Sequence, residues 1–146
     1  MILERIALMG EYTFKKEERL CNKRLIRALF SRGSSFVLYP FRISFLNLRE
    51  ESPSGALAQV IISVPKKKFK KAVHRNLLKR RMREAYRMNK AAAVYGFLPS
   101  GKGVLLLSIH YIGKELLDSN TISRKMKLAL ERMKDEYMRI YMAENH

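Results

Sequence analysis

Residues 63–87 read SVPKKKFKKAVHRNLLKRRMREAYR. From Lys66 to Lys90 the chain carries twelve Lys and Arg, at 66, 67, 68, 70, 71, 75, 79, 80, 81, 83, 87 and 90, against one acid, Glu84. That is +11 in 25 residues, while the other 121 residues contribute only +6 of the net +17. A charge this concentrated repels itself, and a compact polyanion is the compensating partner. The segment predicts a strand end, a turn and a helix from Ala72 to about Lys90. At 100° per residue, Asn76, Lys79, Arg80, Arg83, Arg87 and Lys90 fall within an arc of about 100°, with Arg75 just off its edge. Leu78, Met82 and Ala85 gather on another side, with Tyr86 at the border. A helix with an apolar stripe and a cationic face suits a phosphate backbone. Arginine offers planar forks to paired phosphate oxygens, and Asn76 offers a donor and an acceptor to a ribose hydroxyl or base edge.

Composition bounds the class. The 146 residues make one domain, and a hydrophobic content of 47% excludes a merely disordered basic tail. No apolar run is long enough to cross a membrane, and Glu4 and Arg5 interrupt the apolar opening that a signal peptide would need. A single cysteine, Cys21, cannot form an internal disulfide, so the cytoplasm is the expected compartment. His74, His110 and His146 are far apart in sequence and no metal cluster is expected. A protein-based nuclease would need clustered carboxylates to hold metal ions, and the thirteen acids are scattered, so no catalytic residue is assigned.

Residues 1–13 are expected to form an N-terminal extension, ordered or partly disordered, ahead of a single RNA-binding α+β domain over 14–142. Residues 13–20 are charged and are expected to lie extended over the surface. Asn22 is a good cap for a helix to about Arg32, with Leu25, Ile26, Leu29 and Phe30 at helical spacing and Gly33 ending it. A loop through Ser34, Ser35 and Pro40 follows. Phe41, Ile43 and Phe45 alternate with Arg42, Ser44 and Leu46 as a strand does. Residues 50–55 read as a hairpin loop leading into a second, antiparallel strand over 57–64. Beyond the basic helix, 91–103 reads as a flexible loop, and 104–109 as a buried central strand. The last helix, about 121–142, turns inward Ile122, Met126, Ala129, Leu130, Met133, Tyr137 and Tyr141. The expected fold is thus α+β: about four strands, three helices and a strand–helix–strand crossover.

The order of residues within the basic stretch is more specific than its charge. Ser63-Val64-Pro65-Lys66-Lys67, followed by Ala72, Arg75, Asn76, Lys79, Arg80, Arg83 and Glu84, resembles the signature of the bacterial ribonuclease P protein subunit. Leu20, Ile26, Phe30 and Gly33 sit where that family's first helix would place them, and the similarity runs over roughly residues 14–135. One departure is Leu77, where the family usually carries arginine. The resemblance implies a left-handed crossover and a non-catalytic subunit of an endoribonuclease, monomeric as the free protein. It implies two partners, the ribonuclease P RNA subunit and precursor tRNA, no membrane, and magnesium held mainly by the RNA, whose catalysis removes the 5′ leader. Carried over residue by residue, Lys66, Lys67, Arg75, Asn76, Lys79, Arg80, Arg83 and Arg87 would bind the RNA subunit. Ile26, Phe30, Arg42 and Ser44 would bind the leader. The residues alone reach only an RNA-binding α+β domain, and leave open a ribosome-assembly protein or a helix for anionic membrane surfaces.

Overall fold

The computed structural model describes residues 14–50, 56–98 and 103–142. The expected extension, most of the 50–55 loop and the last four residues lie outside them. Helix α1 (Lys23–Arg32) is followed by strands β1 (Ser34–Leu38), β2 (Phe41–Leu48) and β3 (Ala58–Ser63), helix α2 (Ala72–Lys90), strand β4 (Val104–Tyr111) and helix α3 (Ser119–Tyr137). The strands form one sheet in the order β1-β2-β4-β3. β4 pairs antiparallel with β2 and parallel with β3.

Alternation assigns each strand's side chains to two layers. Phe41, Ile43 and Phe45 of β2, Leu105, Leu107 and Ile109 of β4 and Val60 of β3 pack beneath Leu78, Met82 and Tyr86 of α2 and Met126, Leu130 and Met133 of α3. On the opposite face, Leu46, Leu48, Val104 and Leu106 lie under Leu25 and Leu29 of α1. α1 covers only that end of the face. Its start is capped by the Asn22 side chain, which accepts from the N–H groups of Arg24 and Leu25. Its end is fixed by Gly33, where a Cβ would lie 2.3 Å from the Leu29 carbonyl oxygen and 2.9 Å from that of Phe45. No side chain larger than hydrogen fits where the chain turns from α1 into β1.

The crossover's hand follows from the register. Leu105 faces α2 and donates its N–H to the Leu57 carbonyl at 2.9 Å. For an L-residue in a strand running upward with its side chain toward the viewer, the N–H points right. With α2 toward the viewer, β3 therefore lies to the right of β4, and the chain passes in front from right to left. The crossover is left-handed, against the general preference.

Several local expectations are corrected. The loop at 34–40 is mostly strand, β1, joined to β2 by a turn with a cis Tyr39–Pro40 bond. The expected hairpin is absent: β2 and β3 are not neighbours, because β4, buried at every position but His110, takes the centre between them. The flexible loop after α2 begins as a π-helical turn, Ala91–Tyr95, with Val94 buried. The segment ahead of α1 is not simply draped over the surface. It makes a 3₁₀ turn, Lys16–Glu18, buries Glu18 and Leu20, and bridges the edge of β3 through Arg19 and Val60.

Candidate nucleic-acid interface

α2 stands on the sheet through Leu78, Met82, Ala85 and Tyr86, which leaves its cations outward. Lys66, Lys67, Lys70 and Lys71 are exposed at its approach, and Asn76, Arg80 and Arg83 are exposed along it. Lys79 and Arg87 are half-buried, and Arg87 pairs with Glu84 at a spacing of three. Arg75 turns back: its guanidinium donates to the carbonyls of Phe69 at 2.7 Å and Lys70 at 2.9 Å. It therefore shapes the loop that presents the lysines. Lys68 likewise donates to the Ile112 carbonyl at 2.7 Å.

Lys90 does not belong to this face. It is 1% exposed, and its ammonium lies 2.6 and 2.8 Å from the two carboxylate oxygens of Glu18. The helical wheel placed it among the cations because periodicity cannot register a partner 72 residues away. Glu18 also accepts from the Tyr95 hydroxyl and, at 2.7 Å, from the Lys15 N–H. Burial pushes its carboxyl up, but the bonds from Lys90, Tyr95 and Lys15 outweigh burial and hold it below 4.5. Burial raises the hydroxyls of Tyr86 and Tyr95 well above the usual tyrosine range.

Leu77 is half-buried beside exposed Val73, in a shallow apolar patch shared with His74, Asn76, Arg80 and Arg83. Leu77→Arg should therefore change unfolding free energy by no more than about 1 kcal/mol, since the longer chain can reach solvent. It should steepen the salt dependence of RNA binding by up to about one unit of slope. A thermal melt and a salt titration check this; a loss of several kcal/mol would show Leu77 to be a core residue.

The second surface is the part of the sheet that α1 leaves open. Across it, side chains stand in rows set by the strand register. Ser35, Ser44, Ser108 and Ile61 form one row, and Val37, Arg42, His110 and Ser63 the next. The end of α1 adds Phe30, and the resulting cleft, about 400 Å³, is lined by Phe30, Ser35, Arg42, Ser44, Ser63 and His110 among others. Phe30 is 60% exposed, so it belongs to the cleft wall and not to the core. Ser44 is nearly covered and Arg42 is exposed. Ile26 is one turn away in a neighbouring cleft, with Leu20 and Ile61 on an apolar floor and Arg19, Lys79 and Arg83 at the rim. Ile61 is paired with Ser108 in the sheet, so the two clefts adjoin beside α1 and end at the cationic face of α2.

Of the residues singled out in sequence, Phe30, Arg42 and Ser44 come together in one cleft, while Ile26 joins Lys79 and Arg83 in the other. Sequence reasoning did not assign Ser35, Ser63, Ser108 or His110 to the leader-binding set. The signal was there for two of them: Ser108 and His110 interrupt the apolar run of β4 at alternate positions, as floor residues of an open face do. Ser63 Oγ and His110 Nδ1 are 2.7 Å apart. Among the described residues, no group of three or more His, Cys, Asp or Glu could hold a metal ion, and no helix is long and apolar enough to cross a membrane.

The architecture is that of a small α+β domain with a left-handed crossover and a cationic helix beside a half-open sheet. Comparison with known proteins gives this class its family. The family described as Ribonuclease P matches residues 14–134. The chain is 34% identical over 122 residues to the ribonuclease P protein component of Porphyromonas gingivalis strain ATCC 33277, spanning 84% of this chain and 87% of the relative. It is 36% identical over 89 residues to that of Petrotoga mobilis, spanning 61% and 70%. The ribonuclease P protein of Thermotoga maritima superposes with a TM-score of 0.59 at 28% identity, over 79% of this chain and 96% of that one. The Staphylococcus aureus protein, at 19% identity and a TM-score of 0.63 over 80% and 95%, shares the fold. The chain belongs to the ribonuclease P protein family.

Proposed function

We propose that this chain is the non-catalytic protein subunit of a bacterial ribonuclease P. In this reading the outer face of α2 and the lysines before it hold the RNA subunit, and the cleft beside α1 holds the single-stranded 5′ leader of precursor tRNA. The observation that carries it is the adjacency of the two surfaces: the cleft that holds Phe30 and the polar rows of the sheet neighbours, through the Ser108–Ile61 pair, a second cleft that reaches Lys79 and Arg83. Paired RNA presents a regular phosphate lattice, which suits exposed cations on a rigid helix. Unpaired nucleotides present base faces and edges, which suit an exposed aromatic ring and a hydroxyl-lined floor. Magnesium takes oxygen ligands, and the one acid of the basic segment, Glu84, is already paired with Arg87. The residues therefore fit a division of labour in which RNA phosphates hold the metal and the protein places the substrate.

The direct test reconstitutes the protein with a bacterial ribonuclease P RNA and measures precursor cleavage at low magnesium, omitting each component in turn. Cleavage that needs the RNA and is stimulated by the protein supports the proposal; cleavage by protein alone, or no stimulation, would overturn it. Two substitutions separate the surfaces. Arg80→Ala should weaken RNA-subunit binding by about 1–3 kcal/mol, the scale of a charge-assisted contact, and leave the melting curve in place because the side chain points outward. Phe30→Ala should weaken holoenzyme binding to precursor tRNA by about 1–3 kcal/mol, one stacked base, and leave mature tRNA nearly unaffected. Equal losses for both tRNAs would mean a misdocked subunit.

A further inference from the structure

We propose that His110 reads the identity of one unpaired nucleobase in the cleft, through an imidazole positioned by Ser63. This rests on the leader-binding reading above and goes beyond it by assigning base selectivity to a particular side chain.

Arg42, His110 and Ser63 stand side by side on β2, β4 and β3, in one row of the open face. Ser63 Oγ engages Nδ1 of the ring at 2.7 Å, so Nε2 is the polar atom left for a ligand. Partial burial, then the charges of Arg42 and Lys68, hold the imidazole below its ordinary 6.5. Arg42 comes from β2 and Lys68 from the loop after β3. The contributions of α1 and β1 to the cleft, Leu29, Phe30 and Ser35, do not titrate, and among the described residues no carboxylate lines it. Burial and these two cations thus favour the neutral form of His110. A neutral ring adds little to phosphate binding, which Arg42 already serves. It does carry one donor and one acceptor, and a serine that takes one of them fixes what the other nitrogen can recognise.

The three side chains then divide one nucleotide among them. Phe30 offers a face for the base, Arg42 a charge for the phosphate, and His110 Nε2 a contact to the base edge. If the Ser63 hydroxyl donates to Nδ1, Nε2 carries the proton and favours a keto group, as in G or U. If Nδ1–H donates to Ser63, Nε2 accepts and favours an amino group, as in A or C. Directed at purine C6 or pyrimidine C4, either tautomer sorts bases by the exocyclic group there. Stacking on Phe30 alone would sort them by ring size.

The experiment uses the reconstituted holoenzyme and precursors carrying each of the four bases at each leader position, with mature tRNA as the leaderless reference. At one position, affinities should split keto from amino bases by about three- to tenfold, the scale of one hydrogen bond. His110→Ala should collapse that split to within about twofold, and Ser63→Ala should narrow it by freeing the ring. Neither should alter mature tRNA binding. A purine-over-pyrimidine order, or a split unchanged in His110→Ala, would overturn the assignment. So would a uniform loss across all four bases that is larger in acid, the mark of a protonated histidine on phosphate. Should His110→Ala fail to assemble, an undiminished split in Ser63→Ala overturns it equally. Wild-type holoenzyme that binds precursor and mature tRNA alike would instead remove the leader reading, and this inference with it.

Discussion

Replacing Lys90 with alanine should lower the unfolding free energy by about 3–5 kcal/mol, the usual effect of removing one partner from a buried ion pair. Lys90 and Glu18 sit at the end of α2, where residues 14–20 cross the helix. The Phe14 ring meets Tyr86 edge-on at 5.7 Å, and the Tyr95 hydroxyl closes the other side of the carboxylate. Without the ammonium, a carboxylate held among aromatic rings has lost its charge partner, and the segment that covers the edge of β3 has lost its clasp. The drop should appear as a melting temperature lower by roughly 10 °C or more for a domain of this size. Changing both partners, Glu18→Gln with Lys90→Met, should recover much of the loss, since no uncompensated charge remains. A single mutant as stable as the wild type would show the pair to be dispensable.

The same pair sets a pH dependence. The folded Glu18 carboxyl titrates below 4.5, its ordinary value, so in that range the unfolded chain binds more protons than the folded one. Stability therefore rises with pH across the window. The contribution of Glu18 is fully present above about pH 4.5 and is lost as pH falls through the lowered folded value. In Glu18→Gln this part of the acid sensitivity should vanish.

Raising monovalent salt from 50 to 200 mM should weaken binding to the RNA subunit by about 10³-fold, if the exposed cations neutralise about six phosphates. Lys66, Lys67, Lys70, Lys71, Arg80 and Arg83 are the exposed candidates, all on the approach to α2 or along it. Each substitution to alanine among them should reduce the slope of log K against log salt by about one unit. Arg75→Ala should behave differently, because its guanidinium is engaged with the carbonyls of Phe69 and Lys70. There the loss should come with a less ordered lysine loop, read as faster amide exchange around residues 66–71. A nearly flat salt response would mean that the +11 segment is not the RNA-binding surface.

The sequence by itself determined the elements that rest on local periodicity. α1, the basic helix and α3 follow from apolar spacing, α1 also from its Asn22 cap, and β2 from a clean alternation. Its order of residues between Ser63 and Glu84 pointed to the family, and its charge to the face of α2 that carries the exposed cations. The tertiary structure decided what depends on partners far apart in the chain. It put β4 between β2 and β3, because a largely apolar strand that can be buried on both faces is most stable at the centre of a sheet. It set the hand of the crossover, which periodicity does not encode. It withdrew Lys90 from the cationic face and turned Arg75 inward, because Glu18 and the carbonyls after Pro65 reach them only in the folded chain. It also made the cleft floor: Ser63, Ser108 and His110 lie on two strands far apart in the chain, and line one cleft because α1 ends at Gly33 and leaves those rows of the sheet uncovered.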